Sequence, residues 1–525
     1  MEGIALLLGA AVLGHFLAHA LRLPPVPFLL LAGVLLARTG LVATGLLEDS
    51  LVLGVAILLF VTGIQLSPAR NRRQRAAALR VGLVQFFTLA ILGFAAAIAL
   101  GFGLVAALCI GLALTASSTL VVTRLLQRRR QAFEPAARLV LGVLLLQDLL
   151  VILMIPLIAL LPAGLAAMGA GLLGLAIMLA LTYAAANWIA PLLARLDHDE
   201  ESLLLAIMAL LFAFILVGAR FGLPLVVGAF LAGVAISRFP TSGIVSGQLG
   251  SVGDFFAATF FPALGALLTG LTAFEFARAI ALALLVVVAT PPLVAWIAER
   301  AGFSARPALE AGLMLSQTSE LSLVVGLYAM LEGFIPPSLF TIIALITALT
   351  MIATPLLTED RVVWWLLRFH PTRRAQRPST GLSGHIVLLG GGSTGLPLLE
   401  TLLSAGLPLV VVDDDPAVIA QLRDADIECI RGDASDHALL ERIRIADARI
   451  VVSTIRRPRD NRRLLEAARG VPVLCRVFEP ADARWVRELG GTPIVYSEAA
   501  ADGLMRWYDG AKPALEQRLA TRSGH

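Results

Sequence analysis

Long apolar runs, separated by short polar connections, fill the first 358 residues of the chain. Each run is close to the length of about 20 residues that a helix needs to cross a bilayer. The first run begins with Glu2 in place of a basic leader, so we interpret it as a span and not as a cleaved signal. The pattern predicts thirteen spans, at 3–21, 25–46, 51–67, 77–100, 103–126, 137–161, 165–193, 202–218, 221–238, 256–272, 276–298, 308–331 and 335–358.

The pattern changes near Glu359, where the composition becomes that of a soluble protein. From His385 onwards, short apolar segments alternate with helical ones, in the order HIVLLG, LVVVD, ECIRGD, ARIVVSTI, VPVLCRV and TPIVYS. Six strands with interleaved helices predict a complete doubly wound, Rossmann-like α/β domain. The predicted organisation is a polytopic α-helical membrane domain at 1–358, a linker at 359–384, a nucleotide-binding regulatory domain at 385–510 and a tail at 511–525.

Arginine is concentrated in alternate connections between the predicted spans, and the positive-inside rule makes that side cytoplasmic. An odd number of spans then places the N-terminus outside and the α/β domain in the cytoplasm, as in a multi-pass protein of a bacterial inner membrane. The arginines on this side are Arg22, Arg70, Arg72, Arg73, Arg75, Arg128, Arg129, Arg130, Arg195, Arg238, Arg300 and Arg306. The opposite connections carry Glu48, Asp49, Glu275 and Glu332.

The composition agrees with a protein that has membrane lipid as its partner. Of 525 residues, 58% are hydrophobic and 15% charged, whereas soluble domains average about 25% charged residues. The net charge of +4 does not indicate nucleic-acid binding, because it comes mostly from arginines in the connections. The cysteines Cys109, Cys429 and Cys475 have the spacing of neither a disulfide framework nor a metal site.

Two predicted spans contain polar interruptions, in the segments LALTASSTLVV and LMLSQTSELSLVV. They are the fifth and the twelfth spans, seven places apart in the order, so the two segments cross the bilayer in opposite directions. Spans 4–6 and 11–13 are then inverted repeats with crossed broken middle helices, a pattern typical of secondary transporters. The polar residues of the interruptions are Thr115, Ser117, Ser118 and Thr119 in the first, and Ser316, Gln317, Thr318, Ser319 and Glu320 in the second.

Asp148 lies in the middle of the sixth predicted span, in the segment LLLQDLLVI. An ionised carboxylate there costs about 2.5–3.5 kcal/mol on insertion scales. The cost is acceptable if the carboxylate holds a proton and a cation in turn, with oxygens of the broken helices replacing the water of the cation.

Each of these residues also has a structural interpretation. Serine and threonine in a span often bond the preceding turn or join helices. Asp148 is then a buried partner for a polar neighbour, and Glu320 a carboxylate that binds backbone amides at a helix end. The sequence leaves both interpretations open.

A glycine motif follows the first predicted strand of the α/β domain. Gly390, Gly392 and Gly395 form G-x-G-x-x-G, with Ser393 and Thr394 inside it. The motif comes after a strand and opens a helix, as dinucleotide binding requires. Asp413 ends the second strand, where an acid binds the ribose 2′-OH in such folds. The alternative is a domain that has kept its shape and lost its ligand.

The segments ASSTLVVTRLLQRR, VLLLQDLLVI, GLPLVVGAFLAGVAIS, LSQTSELSLVV and ALITALTMIATPLL occur in this order. In order and spacing they resemble the monovalent cation:proton antiporter-2 family, especially its Kef-type potassium/proton antiporters. The resemblance implies a homodimer with a dimerisation part and an elevator-like transport part. It also implies that cation and proton compete at Asp148, with K⁺ as the metal ion bound there, and that Gln147 is the amide before it. The residues that match the family's broken helices are Thr115, Ser117, Ser118, Thr119, Gln317, Ser319 and Glu320.

The segments GGGSTG, VVDDDP, RGDAS, VVSTI and VLCRVF are similar to the RCK or KTN regulatory domain of that family. The similarity implies a regulatory nucleotide, AMP or NAD(H). It also implies that Asp413 binds the adenosine ribose, that Asp433 lies near the adenine, and that Arg476 faces the ligand cleft.

Two segments depart from the family pattern and leave the choice of cation and the gating open. Gln65 lies in GIQ, where the family usually has glutamate, and FFPALGALL at 260–268 replaces the usual FFxxVGM. The basic residues of glutathione gating are not identified, so a small-molecule gating ligand stays open as well.

Together the patterns predict a secondary transporter that exchanges a monovalent cation, K⁺ first, for H⁺ under nucleotide control. One cation per proton is our hypothesis, because one carboxylate lies beside Gln147. Exchange makes no chemical bond, so we expect no enzyme and no catalytic cofactor.

Three other functions fit part of the pattern. A sodium/proton antiporter of the same family has the same composition. A nucleotide-gated potassium channel would use GSVGDFF at 250–256 as a selectivity filter, but the span count places this segment on the cytoplasmic side, where we interpret it as a connection. A membrane-bound dehydrogenase needs a base beside the nicotinamide, and none of His385, His437 and His525 is so placed.

Overall fold

The computed structural model describes residues 2–511 except for 41–43, 66–71, 129–134, 161–163, 190–199, 238–242, 370–382, 393–394, 405–407, 456, 478–479, 496, 503, 507 and 510. The chain forms two compact units. The first consists of Met1–Leu125, Ala136–Ile297 and Leu309–Val363, and the second of Leu126–Pro135, Ala298–Ala308 and Trp364–His525.

The part of the chain before the α/β domain is helical. In the described residues the helices are α1 (Glu2–Leu21), α2 (Pro25–Ala37), α3 (Thr44–Ile64), α4 (Arg72–Ala99), α5 (Leu104–Ala113), α6 (Thr119–Arg128), α7 (Pro135–Leu160), α8 (Gly164–Ala184), α9 (Glu200–Arg220), α10 (Leu225–Ile236), α11 (Gly243–Ala266), α12 (Ala273–Arg300), α13 (Ala305–Met314), α14 (Glu320–Leu331), α15 (Pro337–Leu357) and α16 (Asp360–Leu367). A π-helical turn, Ala185–Ile189, extends α8.

Eight of the described helices are long and apolar enough to cross a membrane, and shorter apolar helices accompany them. The predicted helical membrane region is therefore confirmed, while the count of thirteen spans stays a prediction. The predicted span 25–46 is wrong in its second half, because α2 ends at Ala37 and α3 begins at Thr44. The predicted linker 359–384 contains a helix, α16.

The predicted span 256–272 is also misplaced, because α11 covers residues 243–266. The segment 250–256 is therefore helical, and neither a connection nor a filter loop. Its glycines and serine are weak helix formers, but Leu249, Val252 and Phe256 recur at helical spacing and pack into the core. Tertiary packing overrides local propensity here.

The helices form two repeats that are shifted along the chain. α4 begins at residue 72 and α12 at residue 273, a shift of 201 positions. The same shift relates α5 to α13, which begin at residues 104 and 305, and α6 to α14, which begin at 119 and 320. The helices α1, α2 and α3 begin at residues 2, 25 and 44, and α9, α10 and α11 at 200, 225 and 243. The repeat thus extends beyond the predicted spans 4–6 and 11–13.

The two repeats approach closely at glycines. A Cβ at Gly33 of α2 would lie 2.0 Å from the carbonyl oxygen of Pro262 in α11, and a Cβ at Gly63 of α3 would lie 2.3 Å from that of Phe230 in α10. Small residues allow membrane helices to pack backbone to backbone, where dispersion forces replace the hydrophobic effect.

The second unit contains a six-stranded parallel sheet with the order β3-β2-β1-β4-β5-β6. Its strands are β1 (Ile386–Leu389), β2 (Leu409–Asp413), β3 (Cys429–Arg431), β4 (Ile450–Ser453), β5 (Val473–Val477) and β6 (Thr492–Val495). Its helices are α17 (Leu396–Ser404), α18 (Pro416–Asp424), α19 (His437–Arg442), α20 (Pro458–Ala467) and α21 (Pro480–Glu488).

Both faces of this sheet are apolar, as expected for parallel strands that helices cover on both sides. Val387 and Leu389 of β1 belong to one core, and Ile386 and Leu388 to the other. The predicted doubly wound domain with six strands is confirmed. Leu389 pairs with Val412 of β2 on one side and with Ser453 of β4 on the other, so the order of the strands reverses at β1. In such sheets ligands bind at the carboxyl ends of the strands at this point.

Candidate functional site

Two interrupted helices cross in the first unit. The first interruption, 114–118, lies between α5 and α6, and the second, 315–319, lies between α13 and α14. Ser117 Oγ donates to the Leu315 carbonyl oxygen across 2.8 Å, and Ser322 Oγ donates to the Ala113 carbonyl oxygen. A serine of the first break thus bonds a carbonyl group of the second break, and a serine in the first turn of α14 bonds the carbonyl group that ends α5. The predicted crossing of broken helices is present.

A side chain from the next long helix binds a backbone amide in each break. The Ser117 N–H donates to Gln147 Oε1 of α7 across 3.1 Å, and the Thr318 N–H donates to Thr350 Oγ1 of α15 across 3.1 Å. Gln147 and Thr350 are fully buried. An unpaired amide in an apolar interior costs several kcal/mol, on the order of a lost hydrogen bond or more. These contacts stabilise the unwound backbone.

Asp148 lies against the start of α6. Its side chain is 2% exposed, and Oδ2 accepts a hydrogen bond from Thr119 Oγ1 across 3.2 Å. Oδ1 has no hydrogen-bond partner among the described residues. Glu320 is close enough for its charge to act on Asp148. The site therefore offers a buried carboxylate with one oxygen available to a proton or a cation.

The other residues predicted in the first break have local contacts. Thr115 Oγ1 donates to the Leu112 carbonyl oxygen of its own helix across 2.7 Å. This is the bond to the preceding turn that serine and threonine often make in membrane helices. Ser118 Oγ accepts from the Val121 N–H across 3.2 Å and so caps α6. Hydroxyl caps satisfy amides that the first turn of a helix leaves unpaired.

The second break is capped in a similar way. Ser319 Oγ accepts from the Leu321 N–H across 3.1 Å, and Ser322 completes a capping box. Glu320 is the first residue of α14, and its carboxylate lies within reach of the Ser118 hydroxyl and of the Leu120 N–H at the start of α6. Glu320 therefore lies at a helix end inside the crossing, and its role there stays a prediction.

Several polar atoms in the crossing have no hydrogen-bond partner among the described residues. Besides Asp148 Oδ1, these are Gln147 Nε2, Gln317 Oε1 and Glu320 Oε2. Gln317 Nε2 donates to the Met314 carbonyl oxygen across 3.3 Å, so its amide group lies at the end of α13. Three of these four atoms are oxygens, two of them from carboxylates, and oxygen is the ligand type that a hard monovalent cation prefers.

Thr347, Thr350 and Ser322 also contact the crossing and are not among the residues predicted from the sequence. Thr318 Oγ1 donates to Thr347 Oγ1 across 3.0 Å, in addition to the amide contact with Thr350. A shift of 201 positions places Gln147 at residue 348, between the two threonines. An alignment of the two repeats is the signal that would have found them.

The glycine motif of the α/β domain has the spacing and the geometry of a phosphate-binding turn. Gly390 has φ +91°, and a Cβ there would lie 2.2 Å from Thr454 Oγ1. A Cβ at Gly395 would lie 2.1 Å from the Gly390 carbonyl oxygen, while a Cβ at Gly392 would meet none of the described residues within 4 Å. The first and third glycines thus close the turn, and the second leaves space for a ligand. Ser393 and Thr394 lie outside the described residues.

Asp413 binds the glycine turn at the end of β2. Its carboxylate accepts from the Gly391 N–H and from the Asp415 N–H, each across 2.7 Å. Burial raises the pKa of Asp413 above its usual range, and the charge of Asp415 adds to this, while the two amide hydrogen bonds oppose it. A carboxylate accepts about four hydrogen bonds, so acceptor capacity remains for a ligand hydroxyl.

The other two residues assigned to the cleft belong to the segments around β3 and β5. Arg476 is near the carboxyl end of β5, and β4 separates that strand from β1. Asp433 follows β3, and its carboxylate binds Arg306 Nη1 across 3.0 Å. Its placement near an adenine stays a prediction.

Comparisons with known proteins agree with this architecture. The sodium/hydrogen exchanger transmembrane model matches residues 4–359, and the TrkA-N domain model matches residues 386–497. The chain is 25% identical, over 93% of both chains, to the putative cation/proton antiporter YbaL of Escherichia coli strain K12. It is 29% identical to the glutathione-regulated potassium-efflux system protein KefC of Salmonella heidelberg, over 87% of this chain and 76% of that protein.

The crystal structure of the TrkA-N domain of YbaL from Escherichia coli is similar to 24% of this chain and 98% of its own, with 20% identity and a TM-score of 0.23.

The exchanger model covers more than half of the chain and contains both broken helices. The TrkA-N model contains all six strands of the parallel sheet. The chain therefore belongs to the sodium/hydrogen exchanger family and carries a TrkA-N domain after its membrane helices.

Proposed function

We propose that this protein exchanges a monovalent cation, K⁺ in the first place, for H⁺ across the bacterial inner membrane. Regulation comes from a nucleotide, AMP or NAD(H), in the cleft of the α/β domain. The functional unit is a homodimer, with the N-terminus outside and the α/β domain in the cytoplasm.

One observation carries the proposal: Asp148 lies in the crossing of two broken helices, with one oxygen bonded to Thr119 and the other without a partner among the described residues. A bare buried carboxylate is costly, so it binds a proton or a cation. The two ligands compete for the same oxygen, and competition at one site couples their movement in opposite directions. The transport residues proposed around it are Gln147, Thr115, Ser117, Ser118, Thr119, Gln317, Ser319 and Glu320.

K⁺ is the first candidate because KefC, 29% identical to this chain, is named as a potassium-efflux protein. Na⁺ is the second candidate, because the family model that matches residues 4–359 is described as a sodium/hydrogen exchanger. Both ions bind carboxylate, amide and hydroxyl oxygens, which the crossing supplies. The ions therefore have to be compared by experiment.

The experiment measures proton flux into liposomes that contain the purified full-length protein. A pH-sensitive dye reports the flux after an outward or inward gradient of K⁺, Na⁺ or Rb⁺ is applied. We expect cation-driven proton movement in the wild type and none in Asp148→Asn, which cannot alternate between charge states.

The matched control is Asp254→Asn, which makes the same change at an exposed position of α11. Its flux should equal that of the wild type. Full exchange by Asp148→Asn overturns the proposal, and cation flux that needs no proton gradient indicates a channel.

A further inference from the structure

A buried arginine connects the transport helices to the α/β domain within the second unit. Arg306, 4% exposed, donates through Nη1 to Asp433 Oδ2 across 3.0 Å and to Asp460 Oδ1 across 3.2 Å. It also donates to Ser435 Oγ. Asp433 and Ser435 follow β3, and Asp460 lies in α20. One guanidinium therefore joins two separate elements of the nucleotide-binding domain.

The charges in this cluster depend on one another. Arg457 Nε lies 3.9 Å from Asp460 Oδ2, and the Arg306 guanidinium stacks on the ring of Trp364 at 5.1 Å. Burial alone would raise the pKa of Asp433, but Arg306, hydrogen bonds from Ser435 and the charge of Arg457 hold that pKa below its usual range. Truncation of one partner in a buried pair is strongly destabilising, because the other charge stays buried. The position of Arg306 is thus firmly tied to the two carboxylates.

Arg306 is also the second residue of α13, the half-helix that ends at the second break. Residues 298–308 belong to the second unit and residues 309–363 to the first, so α13 begins in one unit and ends in the other. From Arg306 to Met314 a continuous helix spans about 12 Å. The next residue is Leu315, whose carbonyl oxygen binds Ser117. One short helix therefore joins Arg306 to the residue that precedes Leu315.

The first repeat has no equivalent of this arginine. With the shift of 201 positions, Arg306 corresponds to Val105, which is 40% exposed, and the buried Glu310 corresponds to the buried Cys109. The repeated helix fold therefore does not require an arginine at this place. The difference between the repeats indicates a role that only the second broken helix has.

The cluster adjoins the proposed nucleotide cleft. The Gly432 N–H donates to the Asp413 carbonyl oxygen across 3.0 Å, and Asp433 is the next residue. Asp413 itself binds the glycine turn through Gly391. Asp413 thus links the glycine turn to the segment that holds Arg306 by two hydrogen bonds.

We propose that Arg306 is the positioning residue through which nucleotide occupancy of the α/β domain controls the second broken helix. The proposal rests on the proposed exchange function and its regulation by a nucleotide. A bound nucleotide changes the contacts of Asp433 and Asp460 with Arg306. The resulting movement passes along α13 and alters the hydrogen bond between Ser117 and Leu315 in the crossing. Control of this kind requires that the nucleotide bind the two arrangements with different affinity.

The test compares three full-length proteins in liposomes: wild type, Arg306→Gln and the control Arg300→Gln. Arg300 ends α12 and is exposed, so its change removes the same charge six residues earlier. Two quantities are measured for AMP and for NADH: the binding affinity by titration, and the ratio of exchange rates with and without saturating nucleotide. We expect Arg306→Gln to bind nucleotide like the wild type and to exchange cations, but with a rate ratio of one. Arg300→Gln should keep the wild-type ratio.

A second variant acts from the other side of the contact. Asp460→Asn leaves Arg306 in place but weakens its contact with α20, so it should lower the rate ratio as well. Arg306→Lys should recover part of the rate ratio that Arg306→Gln loses. An unchanged ratio in Arg306→Gln, or in Asp460→Asn if the first variant does not fold, overturns the inference.

Other outcomes separate the inference from the proposed function. A wild type without cation-driven proton flux refutes the exchange function itself. A wild type that exchanges cations but ignores both nucleotides refutes nucleotide control, and the role of Arg306 with it.

Discussion

The backbone N–H of Ser117 donates to the side-chain oxygen of Gln147 across 3.1 Å. In the second repeat, the N–H of Thr318 donates to Thr350 Oγ1 across the same distance. Both donors lie in a break, and both acceptors lie in the long helix that follows. Each repeat therefore replaces the lost helical partner of an unwound amide with a side chain, and Gln147 shapes the break beside Asp148.

We expect Gln147→Met to destabilise the protein and to slow exchange. Methionine has a similar volume but does not accept the Ser117 N–H, and an unsatisfied buried donor costs about 1–3 kcal/mol. Thermal unfolding in detergent and proton flux in liposomes measure the two effects. The control is Leu149→Met in the same helix, a partly buried core position. Equal stability of the two variants would contradict the prediction.

We expect Thr350→Val to destabilise the protein more than Thr354→Val, by about 1–3 kcal/mol. Both threonines are fully buried in α15, and both donate to their own helix. Only Thr350 also contacts the break, through the Thr318 N–H and the Thr318 hydroxyl, so the difference between the variants measures these contacts. Thermal unfolding of both proteins under the same conditions measures it. A smaller loss in Thr350→Val than in Thr354→Val would refute the role of the hydroxyl.

We expect Thr119→Val to raise the cation KM for exchange and Thr119→Ser to leave it nearly unchanged. Thr119 Oγ1 donates to Asp148 Oδ2, and its loss leaves the carboxylate less well oriented for the cation. Thr123→Val is the matched control, because Thr123 lies one turn later and donates only to carbonyl oxygens of its own helix. Proton flux at increasing cation concentration gives KM for each variant. If both valine variants raise KM equally, the orienting role is wrong.

Much of the fold could be predicted from the sequence because its signals are local. Apolar runs of membrane length, polar interruptions inside two of them, and six short strands are each visible in a window of about 20 residues. Asp148 was identifiable for the same reason, since a carboxylate inside an apolar run is unusual. The glycine motif was identifiable because it lies between a strand and a helix.

The rest depends on contacts between residues that are far apart in the chain. The segment 250–256 has weak helix formers and becomes helical only because it packs into the core. Thr350 and Arg306 have no local signal of their roles, since their partners Thr318 and Asp433 lie 32 and 127 positions away. Such contacts appear only once the two repeats and the sheet are assembled.

We expect nucleotide affinity to fall on acidification, and the fall should begin at a higher pH than it would if the binding carboxyl group were exposed. Burial raises the pKa of Asp413, so this group gains a proton at a higher pH than an exposed aspartate would. The protonated form loses acceptor capacity for ribose hydroxyls. Titration of AMP and NADH at neutral and at mildly acidic pH measures the effect. Asp413→Asn should bind weakly at both pH values, and the exposed control Asp424→Asn should behave like the wild type.

The glycine turn gives a pair of substitutions with opposite effects. In Gly392→Val the side chain extends into open space, so we expect normal thermal stability and loss of AMP and NADH binding. In Gly395→Ala the new Cβ would lie 2.1 Å from the Gly390 carbonyl oxygen, so we expect a lower melting temperature whether or not nucleotide is present. Thermal unfolding with and without nucleotide distinguishes the two. Stabilisation of Gly392→Val by nucleotide, equal to that of the wild type, would show that the ligand binds elsewhere, because binding to the folded state alone raises the melting temperature.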